Sequence, residues 1–274
     1  MNISLKRPAD LPDFDAPPLD EVVLGVQFDS LVGYQQIKCG EVWALYRDRY
    51  PRVEERSPLP PSFEIFGGHA PINSMNQLNL IDGPLHDRFW FLDPAGSQLI
   101  QFQPDRLLHN WRNVEGSGIY PHFEAMATAY NNELSLLEEY AGKLEKQALV
   151  VNQCEISYIN KIAIESDAER ALAKWFTLWA GSTAEPESVG ISLRYVLTRD
   201  NGSPYARMFI DCGSGVDTKG RPTFGLTISI RGTPLEPTVA SAMDFMICGR
   251  SAIVKKFREI TTPYAHEKWG IKNV

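Results

Sequence analysis

Residues 149–164 read LVVNQCEISYINKIAI, and this stretch decides the fold. Cys154, Ile156, Tyr158, Asn160, Ile162 and Ile164 fall two apart, so they share one face of a long extended strand. Sixteen residues of such alternation predict a strand well above ordinary length. Asn160 stands in the apolar phase, where an amide must find partners or face a cavity; leaving it unpaired costs roughly 1–3 kcal/mol.

C-terminal to this strand, Ser166-x-x-Glu169 resembles a capping box and predicts a helix to about Ala180, with Gly181 as its stop. Three strands are expected next, at Val189–Thr198, Tyr205–Cys212 and Thr223–Arg231. The alternations Ile191/Leu193/Tyr195/Leu197 and Phe224/Leu226/Ile228/Ile230 fit antiparallel strands with one wet face. Asp200-Asn201-Gly202-Ser203 is a hairpin signal between the first two. A helix from about Thr238 to Ile260 closes the unit with a stripe including Val239, Met243, Met246, Ile253 and Phe257.

N-terminal to residue 149 the same order of elements is read once before. Glu21–Phe28 predicts a strand, Tyr34–Tyr50 a helix ended by Pro51, and residues 52–61 a Pro- and charge-rich connection. Short strands are expected at Ser62–Phe66, Gln77–Ile81, Arg88–Leu92 and Gln98–Gln103, then a loop holding Asn110-Trp111-Arg112. A long helix follows, about Pro121 to Lys146, with Phe123, Met126, Tyr130, Leu134 and Leu137 on one face. The fold class is therefore α+β, with two similar β-α-β(3-4)-α halves at residues 19–147 and 148–274, each an antiparallel sheet under a long helix. The two are expected to form one compact unit, joined edge to edge, in loose likeness to the TATA-binding-protein architecture. Residues 1–18, with four prolines, read as an N-terminal arm.

The formal net charge of −7 argues against a non-specific nucleic-acid binder, which needs a positive field to displace counterions. Two basic clusters, Arg47/Arg49/Arg52/Arg56 and Arg250/Lys255/Lys256/Arg258, read as solvated helix faces. Arg194, Arg207 and Arg231 fall on the wet face of the second-half strands, with Glu155, Glu165 and Asp211 among them. No apolar run approaches the ~20 residues of a membrane-spanning helix, and no secretory signal is read, so a cytoplasmic protein away from the membrane is expected. Four cysteines, Cys39, Cys154, Cys212 and Cys248, lie far apart without C-x-x-C spacing, and five histidines occupy separate segments. Neither a disulfide framework, a metal site nor a cofactor is implied. Gly67-Gly68-His69 lacks what a phosphate loop needs, and Gly213-Ser214-Gly215 reads as a short flexible turn.

The densest polar segment is Gln101 to Arg112. Asp105, Arg106, His109, Asn110 and Arg112 are candidates for an anionic or amide-bearing ligand, with Trp111 as a stacking surface. Tyr158 and Asn160 are candidates from the long strand. The competing account is a structural corner with local ion pairs, and an Asn160 that ties down a loop. No catalytic residue is assigned.

Pro18-Leu19-x-Glu21-Val22, Asn110-Trp111-Arg112, Tyr120-Pro121, Tyr158-x-Asn160 and Phe257-x-x-x-Thr261 with Trp269-Gly270 together resemble a family of uncharacterised, sporadically distributed prokaryotic proteins of about this length. That resemblance spans nearly the whole chain and carries no activity to transfer. It implies a lean toward mobile or defence-linked gene cassettes. The first function expected is a non-catalytic binding or interaction protein, with a protein partner or self-association. The alternative is a small-ligand binder or enzyme with a pocket between sheet and long helices; a nucleic-acid binder ranks last.

Overall fold

The strand read from residues 149–164 lies deep inside a single antiparallel sheet. The computed structural model describes residues 6–67, 87–114, 119–180 and 186–272. Among them are β1 (Leu19–Phe28), α1 (Cys39–Ala44), β2 (Arg52–Arg56), β3 (Arg88–Leu92), β4 (Gln98–Gln103), β5 (Arg106–Arg112) and α2 (His122–Glu145). The chain continues through β6 (Val151–Ala163), α3 (Leu172–Trp175), β7 (Gly190–Thr198), β8 (Pro204–Val216), β9 (Pro222–Gly232), α4 (Val239–Ile260) and α5 (Pro263–Lys268). The expected strand at Gln77–Ile81 lies outside the described residues.

All nine strands form one sheet in the order β2-β3-β4-β5-β1-β6-β9-β8-β7. β1 and β6 pair antiparallel as inner neighbours, with Val22 opposite Tyr158 and Leu24 opposite Ile156. On either side the first strand takes the last of its own set, β5 beside β1 and β9 beside β6. One face of the sheet carries Val22, Leu24, Val26, Ile156, Ile162, Leu226, Ile228 and Ile230, all buried. The long helices α2 and α4 lie over this face, α2 on β5 and α4 on β6 and β9. Their stripes follow the helical period, so Tyr130, Leu134 and Leu137 on α2 and Met246 and Ile253 on α4 are fully inside. α4 approaches β6 through Gly249: a Cβ there would stand 2.7 Å from Ile156 Cγ2.

Several expectations need correction. The segment of Asn110-Trp111-Arg112 is no loop but the end of β5, paired with β1 at Glu21↔Arg112, Val22↔Trp111 and Val23↔Asn110. Its polar residues hid the strand because polar side chains on both sides of a backbone break the apolar alternation. Residues 52–56 form the edge strand β2 rather than a connection; charged edges of this kind deter pairing with other chains. Gly213-Ser214-Gly215 lies within β8, not in a turn. Ser62–Phe66, expected as a strand, pairs with no strand among the described residues.

Helices after the first strand of each half are shorter than expected. α1 follows a 3-10 turn (Gln36–Lys38), and later turns tighten to bonds such as Tyr46 N to Trp43 O. In the second half a 3-10 turn (Asp167–Glu169) and one turn of α3 replace the helix to Ala180. Ser166 makes no side-chain cap; the Glu169 carboxylate accepts instead from Glu165 N, Tyr264 Oη and Lys268 Nζ. Phe176 then leaves the helix to bridge Thr261. Asp200–Ser203 is a turn as expected, with Gly202 at φ +78° donating to Arg199 O.

The N-terminal arm packs on the body from Arg7 onward. Phe14 bridges Ile271, Asp15 N donates to Gly270 O, and Ala16 N donates to Trp269 O. The Phe14 ring lies edge-on to Phe257 at 5.5 Å, beside the stacked rings of Phe257 and Trp269.

Candidate functional site

Where the arm crosses the helix-covered face, it closes a pocket of about 260 Å³. The sheet supplies its floor through Tyr158 and Asn160 of β6, because both share the phase of the buried Ile156 and Ile162. One wall is the entry to α2, Tyr120 to Phe123; the other is the α4 stripe of Arg250, Ile253, Val254 and Phe257. Arm residues Arg7, Pro12–Asp15 and Pro17 form the lid.

Most of this lining is apolar, and its polar groups gather toward the floor. Arg250 is 2% exposed, and its Nη2 donates to Glu124 Oε1 at 2.8 Å. Its guanidinium lies 5.3 Å from the centre of the Phe123 ring. The Tyr120 and Tyr158 hydroxyls stand 3.2 Å apart. Burial raises both phenols; the Tyr158 hydroxyl adds to the rise at Tyr120, whereas the Tyr120 bond and the Arg250 charge oppose it at Tyr158, and both keep their protons at neutral pH. Asn160, 4% exposed, donates through Nδ2 to Leu226 O at 3.2 Å. It thus ties strand to strand and also borders the cavity. At the mouth, Arg7 pairs with Asp13 at 3.2 Å. α2 starts after Pro121, which makes no side-chain cap.

His122, the first residue of α2, lines the mouth at φ +65°. A residue with a Cβ in the left-handed region costs roughly 1–2 kcal/mol. His122→Gly relieves that strain against a glycine entropy cost of roughly 0.5–1 kcal/mol, so thermal unfolding is expected to shift up by about 2 °C. Calorimetry beside His122→Ala checks the cause. If alanine stabilises as much as glycine, backbone strain is not the source.

The Gln101–Arg112 segment does not converge on this pocket, because a strand sends alternate residues to opposite faces. Arg106, Asn110 and Arg112 face away from the long helices, whereas His109 and Trp111 face them. Asp105 sits in the turn between β4 and β5 and accepts from Gln103 and Arg106. Asn110 donates to Glu21 and accepts from Gln101, and Arg112 reaches Gly96 O. Trp111 packs on Tyr120 at 5.0 Å, behind the pocket, and its Nε1 has no acceptor among the described residues.

His109 enters a separate buried cluster. Its Nδ1 lies 2.8 Å from Glu133 Oε2, while Tyr50 Oη donates to Glu133 Oε1 at 2.7 Å and Arg49 stands 3.6 Å from the same oxygen. Burial alone pushes the Glu133 carboxyl up, but the charge and hydrogen bond of His109, with help from Tyr50 and Arg49, bring it below its ordinary value.

Sequence reading missed Arg250, which it placed on a solvated face. The signal was present: Met243, Met246, Arg250, Ile253 and Phe257 recur at three- and four-residue steps, so Arg250 stands inside the apolar stripe. The arm's contribution had no such signal. Burial raises the thiols of Cys39, Cys154 and Cys212, the last to about 12, which leaves them protonated and unreactive. No cluster of His, Cys, Asp or Glu suited to a metal occurs among the described residues, and no helix there is long and apolar enough to cross a membrane. Compared with protein-family models, curated proteins and solved structures, the chain matches none of them.

Proposed function

We propose that this protein binds a small amphipathic molecule under its N-terminal arm, with an apolar body and an anionic head. The observation that carries this reading is Arg250, a guanidinium 2% exposed in the α4 wall of a mainly apolar cavity. A buried ion pair gives no better stability than apolar side chains of the same volume, and often less. An Arg250–Glu124 pair in the middle of an apolar stripe therefore calls for a role beyond packing. An acidic head group would find Arg250, the two phenol donors and the start of α2 together. The apolar body would lie along Phe14, Ile253, Val254 and Phe257, with the arm excluding water.

The reading is that of a carrier or sensor; no residue is assigned a chemical step. It takes the small-ligand alternative over the interaction module, since the pocket has a defined chemistry. The shared element order of the two halves supports reading them as one unit used twice, in the manner of the TATA-binding-protein architecture.

A thermal-shift series of straight-chain carboxylates, each beside the alcohol of equal length, tests the proposal. Acids are expected to raise the melting temperature more than alcohols, increasingly with chain length until the cavity is full. In the double variant Arg250→Met with Glu124→Gln, which leaves no unpaired charge, the acid preference should vanish. Equal response to acids and alcohols in the wild type, or a preference kept in the variant, sinks the assignment.

A further inference from the structure

The sheet face away from α2 and α4 holds a second arrangement, independent of the apolar pocket. Residues 59–66 cross it from Gln103 of β4, past Gln27 of β1, to Arg207 of β8. Two glutamine amides each grip one residue of this strap by both its N–H and its C=O. Leu59 N donates to Gln103 Oε1 at 2.8 Å and Gln103 Nε2 donates back to Leu59 O at 3.0 Å. Ser62 N donates to Gln27 Oε1 at 3.0 Å and Gln27 Nε2 donates back to Ser62 O at 2.6 Å. Arg106 adds a bond to Pro60 O at 3.0 Å, and Arg207 one to Ile65 O at 3.0 Å. The strap's one acid, Glu64, is paired with Arg207 and with Arg231 at 3.7 Å.

Gln27 and Gln103 hold main chain, not side chains, so the groove reads an extended peptide largely without regard to sequence. The arginines add a demand for an acid at one position. The strap itself fills this groove poorly. A cavity of about 290 Å³ remains beneath it, bordered by Gly25, Gln27, Ser62, Leu108 and Gln153. Gln153 is 2% exposed, and its Nε2 has no acceptor among the described residues. A buried amide donor without a partner costs roughly 1–3 kcal/mol, and the short Ser62 side chain bonds Arg231 instead. None of residues 57–67 is fully buried, and Phe63 and Ile65 turn outward, 54% and 76% exposed. Lifting the strap opens no apolar core; what holds it are these polar bonds and the Glu64 carboxylate, 5% exposed between Arg207 and Arg231.

We propose that this groove is a docking site for an extended acidic segment of a partner protein, and that residues 59–66 occupy it in cis as a weaker stand-in. The partner segment carries an acid where the strap has Glu64. Where the strap has Ser62, it carries a longer acceptor side chain that enters the cavity and takes the Gln153 N–H.

The test uses the full chain and fluorescent peptides of residues 57–67. Glu64→Ala in the protein removes the strap's ion pairs, and hydrogen exchange follows residues 59–66. The expected result is faster exchange of the strap and at least ten-fold tighter peptide binding than by the wild type. The peptide with Ser62→Gln should bind more tightly than the parent, and the one with Glu64→Ala more weakly. Adding Arg207→Met and Arg231→Met to the protein should abolish the gain. The proposal is overturned if the strap stays protected in Glu64→Ala, or if it is released and no peptide binds. It is equally overturned if acid and alanine peptides bind alike. Dimerisation of Glu64→Ala with exchanged straps would assign the groove to a second copy of this chain and sink the partner.

Discussion

Glu133→Ala is expected to lower the unfolding free energy by about 3–5 kcal/mol, the usual cost of removing one partner from a buried, hydrogen-bonded charge pair. The Glu133 carboxylate stands between His109, Tyr50 and Arg49, and its own carbonyl accepts from Tyr46 Oη at 3.0 Å. Truncation strands the Tyr50 hydroxyl and the His109 ring in the core, where the phenol of Tyr46 is also held. Urea denaturation measures the loss, and a midpoint change equivalent to less than about 1 kcal/mol would show that water or rearrangement replaces the carboxylate. The triple variant Glu133→Met, His109→Leu, Tyr50→Phe removes the carboxylate and its two buried side-chain partners, leaves Arg49 to water and Tyr46 on its main-chain acceptor, and should recover most of the stability.

The same carboxylate sets an acid limit. Its folded-state pKa lies below the ordinary 4.5, so the unfolded chain binds the proton first. Its contribution is present above pH 4.5 and is lost as pH falls from there through the lower folded value. Wild-type stability should therefore fall more steeply in this range than that of the triple variant. Parallel acid limbs would exclude Glu133 as the source.

Gly232→Ala is the second large effect. A Cβ at this position would stand 2.2 Å from Tyr205 O and 2.6 Å from Ala206 Cα, both on the main chain of β8. Overpacking against side chains typically costs 1–3 kcal/mol, and a backbone obstacle that no rotamer change relieves belongs at or above the top of that range. β8 and β9 must part where Gly232 faces Ala206 and Thr233 N donates to Tyr205 O. Gly225→Ala supplies the control within the same strand, since its Cβ would meet nothing within 4 Å. Thermal unfolding of the two variants should differ by several degrees; equal melting would mean the strand end adjusts freely.

The pattern of residues 149–164 was sufficient to place β6, because an alternating strand under a helix layer needs only local chemistry to be recognised. The stripes of α2 and α4 were legible for the same reason, and their ends came within a residue or two of Pro121–Lys146 and Thr238–Ile260. β5 was not legible: Asn110 finds a partner on the neighbouring β4, but Arg106, His109 and Trp111 meet theirs on β1 and α2, which are distant in sequence. The shortening of α3 has a similar origin, for Glu169 is claimed by Lys268 and Tyr264 almost a hundred residues away.

Of the eight residues singled out from the sequence, Tyr158 and Asn160 border the arm-covered pocket and Arg106 borders the strap cavity. The other five serve turns, strand pairs or the buried Glu133 cluster. The sequence by itself determined the class of fold, the long strands and helices and which of their faces are apolar, because these follow from side-chain periodicity. Only the tertiary structure decided which polar groups meet: Arg250 with Tyr120 and Tyr158, the arm over Phe257, and the strap on Gln27 and Gln103. Those encounters join residues far apart along the chain, and no local period encodes a partner on another strand or helix.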